Sequence, residues 1–221
     1  MQATENIMKE MMKSENAEYL LNQTKPFVKL MTQYRCAMLE IKTKLEVLNM
    51  DLSMDGENNP FESIQCRIKS PRSIVEKLER KGYPITVESI ENNLRDVAGI
   101  RVICSFRDDI YALADKLCGQ DDIIVLERKD YIANPKPNGY RSLHLILDIP
   151  IFLADETKHM PVEVQFRTIA MDFWASLEHK VKYKKELGSK AGDIAEELLR
   201  CSEDISRLDA RMQQIRNEIS G

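Results

Sequence analysis

The chain has 221 residues, 43% of them hydrophobic, and a formal charge of -4; that is length for one sizeable core, or for one domain with helical appendages. The negative balance argues against duplex binding through a broad basic surface, so nucleic acid is not the expected partner and any polyanionic ligand must meet a local cationic pocket. No run reaches the ~18 apolar residues that a bilayer span needs, the opening MQATENIMKEMMKSENAEYLL does not read as a secretory signal, and five cysteines without a CxxC pair read as buried reduced thiols of a cytoplasmic protein.

From Thr24 onward, Phe27, Leu30, Met31, Tyr34, Met38, Ile41, Leu45, Leu48 and Leu52 recur mostly at spacings of three and four. This predicts a long amphipathic helix that stops at DGENNP. In SPRSIVEKLERKG, Ser70 is placed to cap a helix, Pro71 takes its first position and Gly82 stops it. A second short helical pattern follows. VAGIRVICS is β-branched and apolar enough for a buried strand, DDIYALADKLCG reads as a helix and IIVLERKDY as a strand. In YRSLHLILDI, Leu143, Leu145, Leu147 and Ile149 alternate with Ser142, His144, Ile146 and Asp148. PVEVQFRT sets Val162, Val164 and Phe166 against Glu163, Gln165 and Arg167 in the same way.

Thr168 can cap a helix running through MDFWASLEHKVKYKKELG. Its spacing turns Trp174 and Leu177 toward the core, and Trp174, Glu178 and His179 read as structural. His159 falls in a hairpin and receives no role. Beyond it, Ile194, Leu198, Cys201, Ile205, Leu208, Met212, Ile215 and Ile219 step by four and three, a heptad-like stripe that needs another helix to lie against. The expected fold is α+β, with a helical region at 1–60, a sheet domain at 61–188 and a C-terminal helix at 189–221.

The chemistry gathers in the middle. Glu163, Gln165 and Arg167 project from one side of a strand, where they need partners or a ligand unless the strand is a solvated edge. Asp96 stands just before the buried strand that carries Arg101. A second carboxylate brought near it by sheet pairing would suit magnesium, which takes few protein carboxylates and leaves room for phosphate oxygens. The three histidines have no ligand-like spacing for zinc. Ser73, Lys77 and Arg80 share one helical stripe, and Arg67 and Lys69 precede the helix, whose N-terminal amides favour an anion. That set reads as a phosphate cradle or as a solvated basic helix. In NPKPNGYRSLH, a sharp turn carries an aromatic, cations and an imidazole that a turn does not require.

In order, RIKSPRSIVEKLERKG, DVAGIRV, NPKPNGYRSLH, VEVQFRT and DFWASLEHKVKYK resemble the successive motifs of the RelA/SpoT-type synthetase domain, in the form of a stand-alone small alarmone synthetase. The likeness covers about Arg67 to Lys185. It implies a nucleotidyltransferase-like mixed sheet of about five strands flanked by helices. It also implies transfer of pyrophosphate from ATP to the ribose 3'-hydroxyl of GTP or GDP, making pppGpp or ppGpp. By the resemblance, Arg67 and Arg101 sandwich adenine, while Lys69, Ser73, Lys77 and Arg80 bind the phosphates of ATP. Tyr140 stacks on guanine, Lys136 and His144 meet the acceptor's phosphates, Asn138 and Gly139 shape the turn, and Gln165 joins the acceptor site. Asp96 and Glu163 hold Mg2+, and Glu163 also takes the 3'-hydroxyl proton. The terminal helices build a homotetramer. The same fold also serves tRNA 3'-end pyrophosphorylation, which would want a broad basic surface. A non-enzymatic nucleotide sensor would have lost motif carboxylates or cations, and all are present. Alarmone hydrolysis in the family uses an upstream His-Asp domain, for which this chain has neither room nor histidines.

Overall fold

A computed structural model of the chain describes residues 17–54, 60–183 and 191–220. The elements run α1 (Ala17–Ser53), β1 (Phe61–Ile68), α2 (Pro71–Lys81), α3 (Val87–Asn93), β2 (Ala98–Cys104), α4 (Arg107–Cys118), β3 (Ile124–Asp130), β4 (Leu143–Phe152), β5 (Thr157–Thr168), α5 (Ile169–Tyr183) and α6 (Ala191–Ser220). The strands form one sheet in the order β1-β2-β5-β4-β3. Only β2 and β5 run parallel; the other neighbours are antiparallel.

Alternation along each strand separates two faces. Ile100 and Val102 of β2, Val162, Val164 and Phe166 of β5, and Leu143, Leu145 and Leu147 of β4 are buried together with Leu30, Tyr34, Ile41 and Leu45 of α1. Leu45 is fully buried, and its truncation to alanine would cost about 2–5 kcal/mol. The N-terminal helix therefore supplies part of the sheet's own core. The opposite face carries Arg67, Arg101, His144, Glu163, Gln165 and Arg167, and β5 is its central strand, which removes the solvated-edge reading.

The helix over 71–81 is built as its sequence predicts: Ser70 Oγ accepts from the Ser73 amide at 3.2 Å, and Gly82 adopts φ +71. Other expectations are corrected. The strand β1 had no signal, because as an edge strand it leaves most residues exposed. The α1 helix starts upstream of Thr24 and accommodates Pro26. The hairpin expected at His159 is present, formed by β4 and β5: His159 lies on β5 opposite Pro150, and its Nδ1 lies 3.1 Å from Asp148 Oδ2. Leu177 is exposed, whereas Trp174 is buried and donates to the Leu198 carbonyl at 2.9 Å. Of the cysteines, all free, only Cys104 is buried; Cys66 and Cys201 are exposed.

The largest departure concerns α6. Its docked face is polar: Ser202, Asp209 and Gln213 are buried, while Leu208, Met212, Ile215 and Ile219 of the heptad stripe are exposed. Charged residues of α4, a cation and a carboxylate, explain the choice. Arg107 donates to Asp209 at 3.0 Å and to the Ser206 carbonyl at 2.6 Å, and Arg216 donates to Asp109 at 2.6 Å. The reading of the opening segment as no secretory signal falls on residues 1–16, outside the described ones. Among the described residues no helix is long and apolar enough to cross a membrane.

Candidate active site

The parallel pairing of β2 with β5 sets Gly99 opposite Glu163 and Arg101 opposite Gln165; on the other flank, β4 sets His144 opposite Gln165 and Ile146 opposite Glu163. Asp96 lies at the entrance to β2. The Lys69 amide donates to the Val97 carbonyl at 2.8 Å, tying the end of β1 to that entrance. Lys69 and Lys77 each bring Nζ to 2.6 Å from Asp96 Oδ2. Burial pulls the Asp96 carboxyl upward, but the hydrogen bonds and charges of the two lysines outweigh it and hold it below its ordinary value.

Two cavities open on this face. The first, about 540 Å³, is lined by Arg67, Lys69, Arg101 and Gln165 among others. The second, about 320 Å³, is lined by Lys77, Lys129, Tyr131, Lys136 and His144 among others. The residues they share are Asp96 and Glu163. Both carboxylates thus stand in the wall between two polar pockets, each of a size suited to a small ligand.

Glu163 belongs to a closed ring of contacts. Its Oε1 lies 3.3 Å from His144 Nδ1, and His144 Nε2 lies 2.8 Å from the Tyr140 hydroxyl. Arg167 donates to that hydroxyl at 2.8 Å and to Gln165 Oε1 at 3.2 Å, and Gln165 Nε2 donates back to Glu163 Oε2 at 2.9 Å. Burial raises the Glu163 carboxyl and the charge of Asp96 adds to that, yet the contacts with His144 and Gln165 prevail and leave it below the usual range. Glu163 is therefore an ionised acceptor of fixed orientation.

The expected residues do not all converge. Ser73 stays in the capping bonds of α2 and Arg80 is exposed on it; neither lines these two cavities. Lys77 opens into the second cavity, not the first. Asn138 donates to Glu178 at 3.1 Å and accepts from the Tyr140 amide at 3.3 Å, so it shapes the turn and ties it to α5. Tyr140 is half-buried and is not among the residues that line the second cavity, whereas Tyr131 is. Lys136 Nζ lies 4.5 Å from the centre of the Tyr131 ring and 4.8 Å from that of Tyr140. Sequence reasoning missed Tyr131 and Lys129, although the period of two that places Lys129 and Tyr131 on one side of β3's line was available.

Residues 66–188 match the family described as a region found in RelA/SpoT proteins. The chain belongs to this family. It is 41% identical over 186 residues to the GTP pyrophosphokinase YwaC of Bacillus subtilis (strain 168), across 84% of this chain and 88% of that protein. To the GTP pyrophosphokinase YjbM of the same organism it is 38% identical over 195 residues, across 88% and 90%. The crystal structure of small alarmone synthetase 1 from Bacillus subtilis bound to its product pppGpp superposes with a TM-score of 0.77 at 39% identity, covering 85% of this chain and 95% of that one. Small alarmone synthetase 2 from the same organism gives 0.76 at 40% identity, covering 85% and 97%. Near-complete coverage on both sides places the chain with the small alarmone synthetases of the family.

Proposed function

We propose that the chain is a GTP pyrophosphokinase that moves the β,γ-pyrophosphoryl group of ATP to the ribose 3'-oxygen of GTP or GDP, yielding pppGpp or ppGpp and AMP. The observation that carries this reading is the pair of carboxylates, Asp96 and Glu163, in the wall common to two polar pockets. One pocket presents two arginines whose planar guanidinium groups can stack on a base, and the other presents lysines, a histidine and a tyrosine ring. A group passing from a donor to an acceptor must cross that wall.

Glu163, ionised and held by His144 and Gln165, accepts the 3'-hydroxyl proton as the oxygen attacks the β-phosphorus, and the bond to the α-phosphate's bridging oxygen breaks. Lys69 and Lys77 flank the path of the phosphates and offset their charge. Reactions of this type depend on alignment and electrostatic stabilisation more than on covalent help. Magnesium fits the donors present, because Asp96 Oδ1 is buried without a hydrogen-bond partner. Asp96 and Glu163 would hold the ion, which neutralises charge on the transferring phosphoryl oxygens.

The assembly reading follows α6. Because its polar row is used within the chain, its apolar stripe is free to meet another copy, in a closed symmetric oligomer that the family resemblance makes a tetramer. Five free thiols suit the cytoplasm. The reaction is tested with ATP labelled at the γ-phosphorus, magnesium and GTP. Label in a new guanine nucleotide, with unlabelled AMP in equal amount, is expected; label released only as free phosphate would refute the transfer.

A further inference from the structure

A side-chain bridge runs between the two proposed nucleotide pockets, and its middle members, Asp172 and Arg167, line neither of them. Asp172, in the first turn of α5, accepts from Arg167 Nη1 at 2.8 Å and from Arg101 Nη1 at 3.3 Å, both on Oδ1. Arg101 lines the first pocket. Arg167, 5% exposed, donates its other terminal nitrogen to the Tyr140 hydroxyl and sets its guanidinium carbon 5.1 Å from the centre of that ring. We infer that Asp172 and Arg167 are positioning residues that couple the donor pocket to the acceptor pocket, so that filling one prepares the other. This inference rests on the proposed function.

The physical case begins with two like charges on one carboxylate oxygen. Burial, and then the neighbouring Arg167, push the Arg101 guanidinium below its ordinary value, while Asp172 opposes them. The Nε atoms of Arg101 and Arg167 are both buried without partners, so each cation depends heavily on the bonds its terminal nitrogens make. The bridge is well anchored: Thr168 Oγ1 accepts from the Met171 amide at 3.2 Å and caps the turn that carries Asp172. Arg101 keeps 34% of its side-chain surface exposed. A base stacked over it shields it from solvent and strengthens its pairing with Asp172. A fixed Asp172 fixes Arg167, Arg167 fixes the Tyr140 hydroxyl, and that hydroxyl, 2.8 Å from His144 Nε2, fixes the imidazole that lines the second pocket. The second nucleotide then meets a site whose ordering cost has already been met, which is positive and reciprocal coupling.

The test is calorimetry of GTP binding with magnesium, in the absence and presence of saturating α,β-methylene-ATP, which cannot release AMP. The variants are Asp172→Asn and Tyr140→Phe; the second keeps the ring and removes only the hydroxyl, so it stands if the first fails to fold. In the wild type the analogue should tighten GTP by about fivefold or more, and GTP should tighten the analogue equally. In both variants this factor should shrink to within about twofold. A wild-type factor within twofold of one, or Tyr140→Phe coupled as strongly as wild type, would overturn the bridge. Wild-type protein that bound neither nucleotide would contradict the proposed function and the bridge together, whereas binding without coupling removes the bridge alone.

Discussion

Ser202 of α6 donates its hydroxyl to the carbonyl of Gly139 at 2.5 Å, across 63 positions of sequence. Arg141 braces the contact, donating to Ser202 Oγ at 2.6 Å and to the Gly139 carbonyl at 3.1 Å. The turn that precedes Tyr140 is thus seated on the C-terminal helix. Gly139 has φ +88, and a Cβ there would meet Ser202 Cβ and Oγ at 2.7 Å. Left-handed backbone alone costs a non-glycine residue about 1–2 kcal/mol. Gly139→Ala should therefore lift the turn and weaken GTP binding by about tenfold or more, with ATP affinity changed less than about twofold. Calorimetry with each nucleotide separately checks this.

The carboxylates should separate by stability but not by rate. Glu163→Gln and Asp96→Asn should each lower turnover by at least ~100-fold, within the range for loss of a general base or a charge stabiliser. Asp96→Asn also leaves Lys69 and Lys77 converging on a neutral amide, so it should melt below wild type. Glu163→Gln keeps hydrogen-bonding groups for its neighbours and should melt close to it. Steady-state rates together with melting curves measure both effects.

Acid should reveal the same pair. Both carboxyls lie below their ordinary values in the folded chain, so their stabilisation is complete above the unfolded range of about 4 and disappears as pH falls through the lower folded values. Melting temperature should fall from pH 5 to pH 3 more steeply in wild type than in Asp96→Asn. Parallel slopes would show that the lysine contacts do not hold Asp96 ionised.

The aromatic residues of the acceptor side should divide their work. Tyr131→Ala removes the ring that faces the second pocket, and Tyr140→Ala removes the residue tied to Arg167 and His144. Loss of base stacking is worth ~1–3 kcal/mol, so Tyr131→Ala should weaken GTP by roughly ten- to a hundredfold, while Tyr140→Ala should weaken GTP through the lost ties to Arg167 and His144; both should leave ATP binding in place. Equal losses for both nucleotides in Tyr140→Ala would show that this residue supports the whole site.

Assembly should depend on the open stripe of α6. Leu208→Glu with Met212→Glu puts charges where a second copy would bury them unpaired, and should convert the oligomer to smaller species by light scattering. A wild-type mass near 25.6 kDa at micromolar concentration would contradict the assembly.

What was legible in the sequence follows the range of the forces involved. Ser70, Pro71 and Gly82 act within a few residues, so α2 could be read directly, and the alternation of Glu163, Gln165 and Arg167 survives in β5 as written. Strand β1 could not be read, since an exposed edge needs no apolar alternation. The heptad spacing of α6 revealed a stripe but not its direction, because Arg107 and Arg141, which claim the polar row, come from distant elements. Asp96 and Glu163 meet only through the parallel pairing of β2 with β5, which no local pattern encodes; the ordered motifs of the family supplied it.

The most direct test of the account is the identity of the product. Purified protein incubated with ATP, magnesium and GTP should give a guanine nucleotide heavier than GTP by one pyrophosphoryl group, with phosphorus resonances of a second diphosphate on the 3'-oxygen, and one AMP for each molecule formed. GTP recovered unchanged while ATP is bound or hydrolysed would contradict the central claim.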